Sequence, residues 1–258
     1  MDAVHWGAWD HWGYAGIALV GTALASTLLV KILKSERHAA RLRGLAGVAP
    51  PFINIIGVLF ALTLAFLGND TWSAHDRAID AVTREADSLQ SLVALTRGLD
   101  DDRRAPLVAA VRDYARAASE IEWPLLARRD HAPEAAAALD RLLALVADRG
   151  LGERLGAAVH GRVLEQVIAV RDARDRRIAL SQTHVNPLKW LGMAFLGFVT
   201  MLSVAAVHVD NPRAALVAIV LFAAAAAPTA AIVLIQGNPF QQPTTVSVAP
   251  LAALARGG

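Results

Sequence analysis

Apolar runs stand at both ends of the chain and amphipathic repeats stand between them. Residues 14–33, 52–67, 187–209 and 214–236 are almost free of charge. A bilayer core of about 30 Å needs roughly 20 apolar residues in a helix, so each run predicts a transmembrane span. Thr22, Ser26 and Thr27 interrupt the first run only with small hydroxyls, which can bond back to carbonyls one turn earlier. Ala23-Leu24-Ala25 has the form of a cleavage site, but no Lys or Arg precedes the run, which favours a retained span over a signal peptide. Pro50-Pro51 opens the second run, where missing N–H groups cost nothing. Pro228 interrupts the fourth and predicts a kink near Ala224, beside the slim stretch Ala223–Ala227.

Between the second and third runs the periodicity becomes that of half-buried helices. Ile79, Val82, Ala86, Leu89 and Val93 form one stripe. A second helix is predicted after Asp100–Asp102, through Val108, Val111, Tyr114, Ala118 and Ile121, ending at Trp123-Pro124. A third starts at Pro133-Glu134, buries Leu139, Leu142, Leu143 and Val146, and stops at Gly150. A fourth runs from Glu153 through Val159, Val163, Val167 and Val170 to Arg177 or Ser181. Ala132 reads as an exposed loop position. No segment alternates with strand period. The fold class predicted is an all-α membrane protein with four transmembrane helices and a helical soluble insert between the second and third. Its parts are residues 1–69 (first membrane hairpin), 70–186 (helical domain) and 187–258 (second membrane hairpin with tail).

Tryptophan and charge add a topology. Trp6, Trp9 and Trp12 precede the first span, Trp72 follows the second and Trp190 opens the third, so all fall at one interface if four spans are crossed. Lys31, Lys34, Arg37, Arg41 and Arg43 crowd the connection between the first two spans, and Arg213 lies between the last two. By the positive-inside rule those connections are cytoplasmic, which places the insert and both termini outside a bacterial inner membrane. Arg171, Arg174, Arg176, Arg177 and Lys189 pull the other way, although long domains weigh little in that rule.

Composition narrows the function classes. Hydrophobic residues make up 55% of the 258 and charged residues 19%, which fits a membrane part and a soluble part joined in one chain. The net charge of +2, without a Lys/Arg block, argues against nucleic acid as a partner. The chain has no cysteine, which excludes disulfides and thiol chemistry. Neither a phosphate-cradling loop nor a nucleophile elbow nor a His-Glu-x-x-His run occurs, so neither catalysis nor a cofactor is expected. His5, Asp10 and His11 could form a weak metal site, but their tryptophan neighbours favour plain interface residues. Glu120 and Glu122 stand two apart and cannot face each other on an α-helix, so they read as a solvated edge beside Trp123 rather than an acid/base pair. Arg171, Arg174, Arg176 and Arg177, interleaved with Asp172 and Asp175, are candidates for contact with lipid headgroups or anions; a solvated helix face is the alternative.

The second span carries the most suggestive pattern. Asn54, Val58, Leu62, Phe66 and Asp70 recur every fourth residue, giving polar ends and an apolar middle. In a ring of identical helices such a stripe would form a hydrophobic constriction with polar mouths.

Several short stretches resemble the bestrophin-like family of bacterial membrane proteins. They are residues 60–72, Asp76-Arg77, Arg84-Glu85-Ala86-Asp87, Glu122-Trp123-Pro124, the arginine run ending at Leu180-Ser181, and the tail Asn238-Pro239-Phe240, Val246-Ser247 and Ala249-Pro250-Leu251. The family is distantly similar to bestrophins, pentameric anion channels whose second helix lines the pore and supplies an apolar neck. The resemblance therefore implies a homo-oligomer, inorganic anions as the permeating species, membrane lipids as partners, and Val58, Leu62 and Phe66 as neck residues. Gly237-Asn238 and Gln241-Gln242 around Pro239-Phe240 depart from the family's pattern. Bestrophins also hold their large domain in the cytoplasm, opposite to the orientation the charges favour. A non-conducting membrane-anchored sensor or interaction module is the competing expectation.

Overall fold

The computed structural model describes residues 10–44, 49–182, 187–242 and 245–257. These are helical with no strand among them, and four helices are long and apolar enough to cross a membrane. The protein is an all-α membrane protein. Its chain divides into two compact units, Met1–Trp72 with His184–Gly237 and Ser73–Thr183 with Asn238–Gly258.

In the first unit, α1 (Asp10–Lys34), α9 (Pro187–Val207) and α10 (Pro212–Ile235) pack with the N-terminal part of α3 (Ala49–Leu95). One cluster joins Leu29 and Leu33 of α1 to Met201, Ala205 and Ile219. A second joins Leu67 to Met193, Ala230 and Val233. The hydroxyls of Thr22, Ser26 and Thr27 donate to the carbonyls of Ala18, Thr22 and Ala23, each at 2.8 Å, so none is left unpaired in hydrocarbon. The basic connection after α1 is itself the helix α2 (Glu36–Arg43), which buries Ala39 and Leu42 and pairs Arg43 with Asp210 at 3.2 Å. Pro228 lies inside α10, which continues through it.

The second span does not end at its apolar run. At 1.5 Å per residue the 47 residues of α3 extend roughly 70 Å, more than twice the thickness of a hydrocarbon core. Gly68 and Asn69 are poor helix formers, but no proline follows them, and Thr71 donates back to the carbonyl of Leu67 at 2.9 Å.

The second unit is built from the C-terminal half of α3, then α4 (Asp101–Arg116), a π-helical turn (Ala117–Glu122), α5 (Trp123–Leu126), α6 (Pro133–Val146), α7 (Arg149–Leu155), α8 (Ala157–Ser181) and α11 (Ala249–Arg256). Its core runs from Val82 and Leu89 through Val111, Leu126 and Leu142 to Val163 and Val170. Three expectations need correction. The fourth insert helix is two, because Gly156 adopts φ +74 and breaks it, while Asp148 caps α7 by accepting from the Leu151 N–H at 3.2 Å. The tail belongs with the helical unit rather than with the last membrane hairpin, since Phe240, Val246 and Leu251 are buried in this core. Ala132 is 0% exposed, because its backbone is held by the buried Glu122 and Arg174 side chains.

Candidate functional site

The face that α3 leaves open within the first unit is the candidate pore surface. Ile56 and Leu67 are buried and Phe60 and Leu64 partly so, which assigns one side of the helix to the chain's own packing. Val58 (58% exposed), Leu62 (49%) and Phe66 (67%) lie on the other side, without cover from the described residues. Asn54 and Asp70 are exposed as well. The five do not form a straight line. At 3.6 residues per turn each step of four advances about 40°, so Val58, Leu62 and Phe66 share an arc of about 80° while Asn54 and Asp70 stand about 160° apart. A straighter track over the open face alternates steps of three and four through Ile55, Val58, Leu62, Ala65 and Asn69, all exposed. Asp70 is engaged, its carboxylate accepting from the Lys189 ammonium at 2.7 Å, and Trp72 donates to Gln236 at 3.1 Å at the same end of the span.

The arginine run divides. Arg171 and Arg176 are exposed. Arg174 and Arg177 are buried, and headgroups have no access to them in this chain. The Nε and Nη2 of Arg177 donate to Glu85 at 2.8 and 3.0 Å, and Nη2 donates also to Glu122 at 2.9 Å. Arg174 donates from Nη2 and Nε to Glu122 at 2.6 and 3.1 Å. Tyr114 donates its hydroxyl to Glu85 at 2.6 Å, and the Ala132 N–H donates to Glu122 at 3.2 Å. Two carboxylates and two guanidinia thus neutralise one another where an unpaired charge would be prohibitive. Burial, reinforced by the Glu85 carboxylate, raises the Tyr114 phenol well above its ordinary value. Burial opposes the charge on Arg177, but Glu85, Tyr114 and Glu122 outweigh it and hold its pKa above the normal arginine value.

Glu122 reaches this cluster because of the π turn. Pro124 has no N–H to give and would clash with the carbonyl four residues back in an α-helix; in the widened turn the Trp123 N–H bonds to Ala118, five residues back. The extra residue shifts the phase, so that Ile121, expected in the core, is 45% exposed and Glu122 points inward. The reading of Glu122 as a solvated edge is therefore corrected. Arg177 also lies 5.7 Å from the centroid of the Trp123 ring, and Trp123 meets Phe240 edge-on at 5.3 Å. Asn238 donates to the Leu126 carbonyl at 3.0 Å and accepts from the Phe240 N–H at 2.9 Å, while Gln241 donates to the Ala127 carbonyl at 2.6 Å. The short stretches quoted from distant parts of the sequence converge here: Glu85, Glu122-Trp123, the arginine run and Asn238–Phe240 form one neighbourhood.

His5 lies outside the described residues, as do the side chains of Asp10 and His11. Among the described residues no group of three or more His, Asp or Glu is placed to hold a metal ion.

A profile of the Bestrophin-like domain matches residues 17–251. The chain belongs to the Bestrophin-like family. Solved structures agree in fold. A bacterial bestrophin homologue from Klebsiella pneumoniae with a W252A mutation aligns at a TM-score of 0.66 and 13% identity, over 99% of this chain and 97% of that one. The D179A form of the Klebsiella pneumoniae homologue aligns at 0.65 and 14% identity, over 93% and 96%. A crystal structure described as a membrane protein L259A aligns at 0.67 and 12% identity, over 92% and 96%. No curated protein matches the sequence. In this bestrophin-like chain the family's short stretches thus include a buried structural cluster as well as the candidate pore helix.

Proposed function

We propose that this bestrophin-like protein is the subunit of a homo-oligomeric ion channel of the bacterial inner membrane, in which α3 of each copy lines a central pore. The observation that carries the reading is the open, apolar face of α3 in a chain that belongs to this family. Val58, Leu62 and Phe66 form the neck, where apolar side chains resist wetting and so limit ion flow. Asn54 and Asp70 mark the two mouths, Asp70 being held by Lys189. Anions as the permeating ions and five copies per ring follow from the resemblance to bestrophins. Exposed Arg171 and Arg176 are the members of the run left to meet headgroups or anions in this reading; Arg174 and Arg177, being buried, take no part in it. Purified protein in proteoliposomes tests the reading by chloride flux, measured beside the particle size. Ring-shaped particles with chloride permeability above that of empty vesicles are expected. Monodisperse monomers without flux would remove the proposal.

A further inference from the structure

Within the first unit a cleft of about 410 Å³ lies among α1, α9 and α10, with Phe60 of α3 reaching its edge. Every residue that lines it belongs to one of the four candidate spans. Its walls are apolar. The Thr22 hydroxyl is taken up by the Ala18 carbonyl at 2.8 Å, so the walls offer a water too few partners, and an apolar cavity stays dry.

Small residues make the cleft. Gly21 and Ala25 of α1 and Ala194 and Gly197 of α9 line it, and a Cβ added at Gly21 would meet nothing within 4 Å. Between membrane helices such residues ordinarily let the backbones close on one another; here they border open space. A dry gap leaves its lining without dispersion partners, and in a bilayer the material at hand to supply them is hydrocarbon.

The dimensions identify that hydrocarbon. Trp190 stands at the start of the third span, where an indole settles at the membrane boundary. From Trp190 to Met201 the α9 wall rises about 16 Å, against about 15 Å for half of a hydrocarbon core. At the deep end stand Phe60 and Phe222, near the middle of their spans, with ring centroids 5.6 Å apart. The cleft is therefore as deep as one leaflet, beginning at headgroup level and ending at the midplane.

We infer that the cleft holds one acyl chain of a bilayer phospholipid, with the headgroup beside Trp190 and the chain end beside Met201 and Phe222. The inference needs the four spans but no ion conduction, so it and the channel reading can fail separately.

The test uses protein in vesicles of phosphatidylcholine and phosphatidylglycerol that include a phosphatidylcholine with a diazirine at the end of one chain. After irradiation the adducts are mapped by mass spectrometry. Met201 is 3% exposed and shielded from bulk lipid, whereas Leu24 and Leu28 face outward at 66% and 52%. Adducts on Met201 as well as on the two leucines are expected. Adducts on the leucines alone would overturn the site, whether the cleft is empty or covered by a neighbouring chain. G21L and A194L each put bulk into the cleft from an exposed helix position that accepts leucine readily. Both are expected to cut Met201 labelling severalfold and leave Leu28 labelling unchanged; undiminished Met201 labelling in two variants that melt like wild type would count against the cleft. Lipid extracted from protein washed in mild detergent should be intact phospholipid, present in wild type and depleted in G21L. Free fatty acid in its place, or equal phospholipid in both, would refute the assignment.

Discussion

The fully buried Arg177 decides how the helical unit tolerates change. Its guanidinium faces both Glu85 and Glu122, so its removal leaves two carboxylates in the interior with only Arg174 and Tyr114 beside them. Breaking a buried pair from one side costs about 3–5 kcal/mol, while replacing both partners by apolar groups is often near neutral. R177M is therefore expected to lower thermal stability sharply, and the R177M/E85L double variant to recover a large part of the loss; equal destabilisation by both would show that the pair is not coupled. Tyr114 adds a pH dependence. Because its folded pKa is raised, the native state keeps the phenolic proton after the unfolded chain begins to lose it near pH ~10. That contribution is complete below pH ~10 and declines as pH rises from there toward the folded value. Melting curves between neutral and strongly alkaline pH should fall less steeply for Y114F than for wild type, and an unchanged slope would contradict the assignment.

At the scale of elements, the apolar periods were legible because each depends only on residues three and four apart. Most of the Val82–Val170 core follows from that spacing, and the four spans from apolar runs long enough to cross a bilayer. The phase beyond Ala118 was not legible, since one extra residue in the π turn exchanges Ile121 for Glu122 and periodicity alone does not reveal the insertion. Pro124 was the available signal, read as an end when it marks a widened turn. The burial of Arg174 and Arg177 was hidden for a related reason: their partners are 52 to 92 residues away in sequence. For the candidate pore helix, the fourfold spacing fell on the face that α3 leaves exposed but overstated its straightness. If Val58, Leu62 and Phe66 form a neck, replacing all three with Ala lowers the cost of wetting and raises ion flux at unchanged particle size. If they are packing residues between helices, the same change removes dispersion contacts and the particles shrink. Flux and size measured together separate the two, and particles that stay intact but conduct no better would remove the neck.

For the whole molecule, charge and kinship point to opposite orientations. Four of the five basic residues near the first connection flank or lie within the last turns of α1 and α2, where no long domain dilutes them and the positive-inside rule is at its strongest. The kinship points to a cytoplasmic helical domain, as in bestrophins, and the exposed Arg171 and Arg176 agree with it. The rule weighs short connections most, so the insert and both termini are expected outside. Ala132 cannot report on this, being buried, but Ala137 on α6 and Ala40 on α2 are both exposed helix positions in a chain that has no other thiol. In intact cells A137C should react with a membrane-impermeant maleimide, while A40C should react only after permeabilisation. Labelling of A40C alone in intact cells would reverse the orientation and bring the chain into line with the bestrophin arrangement. The permeabilised sample is what makes either answer binding, since a site unreactive there is sterically closed rather than on the far side.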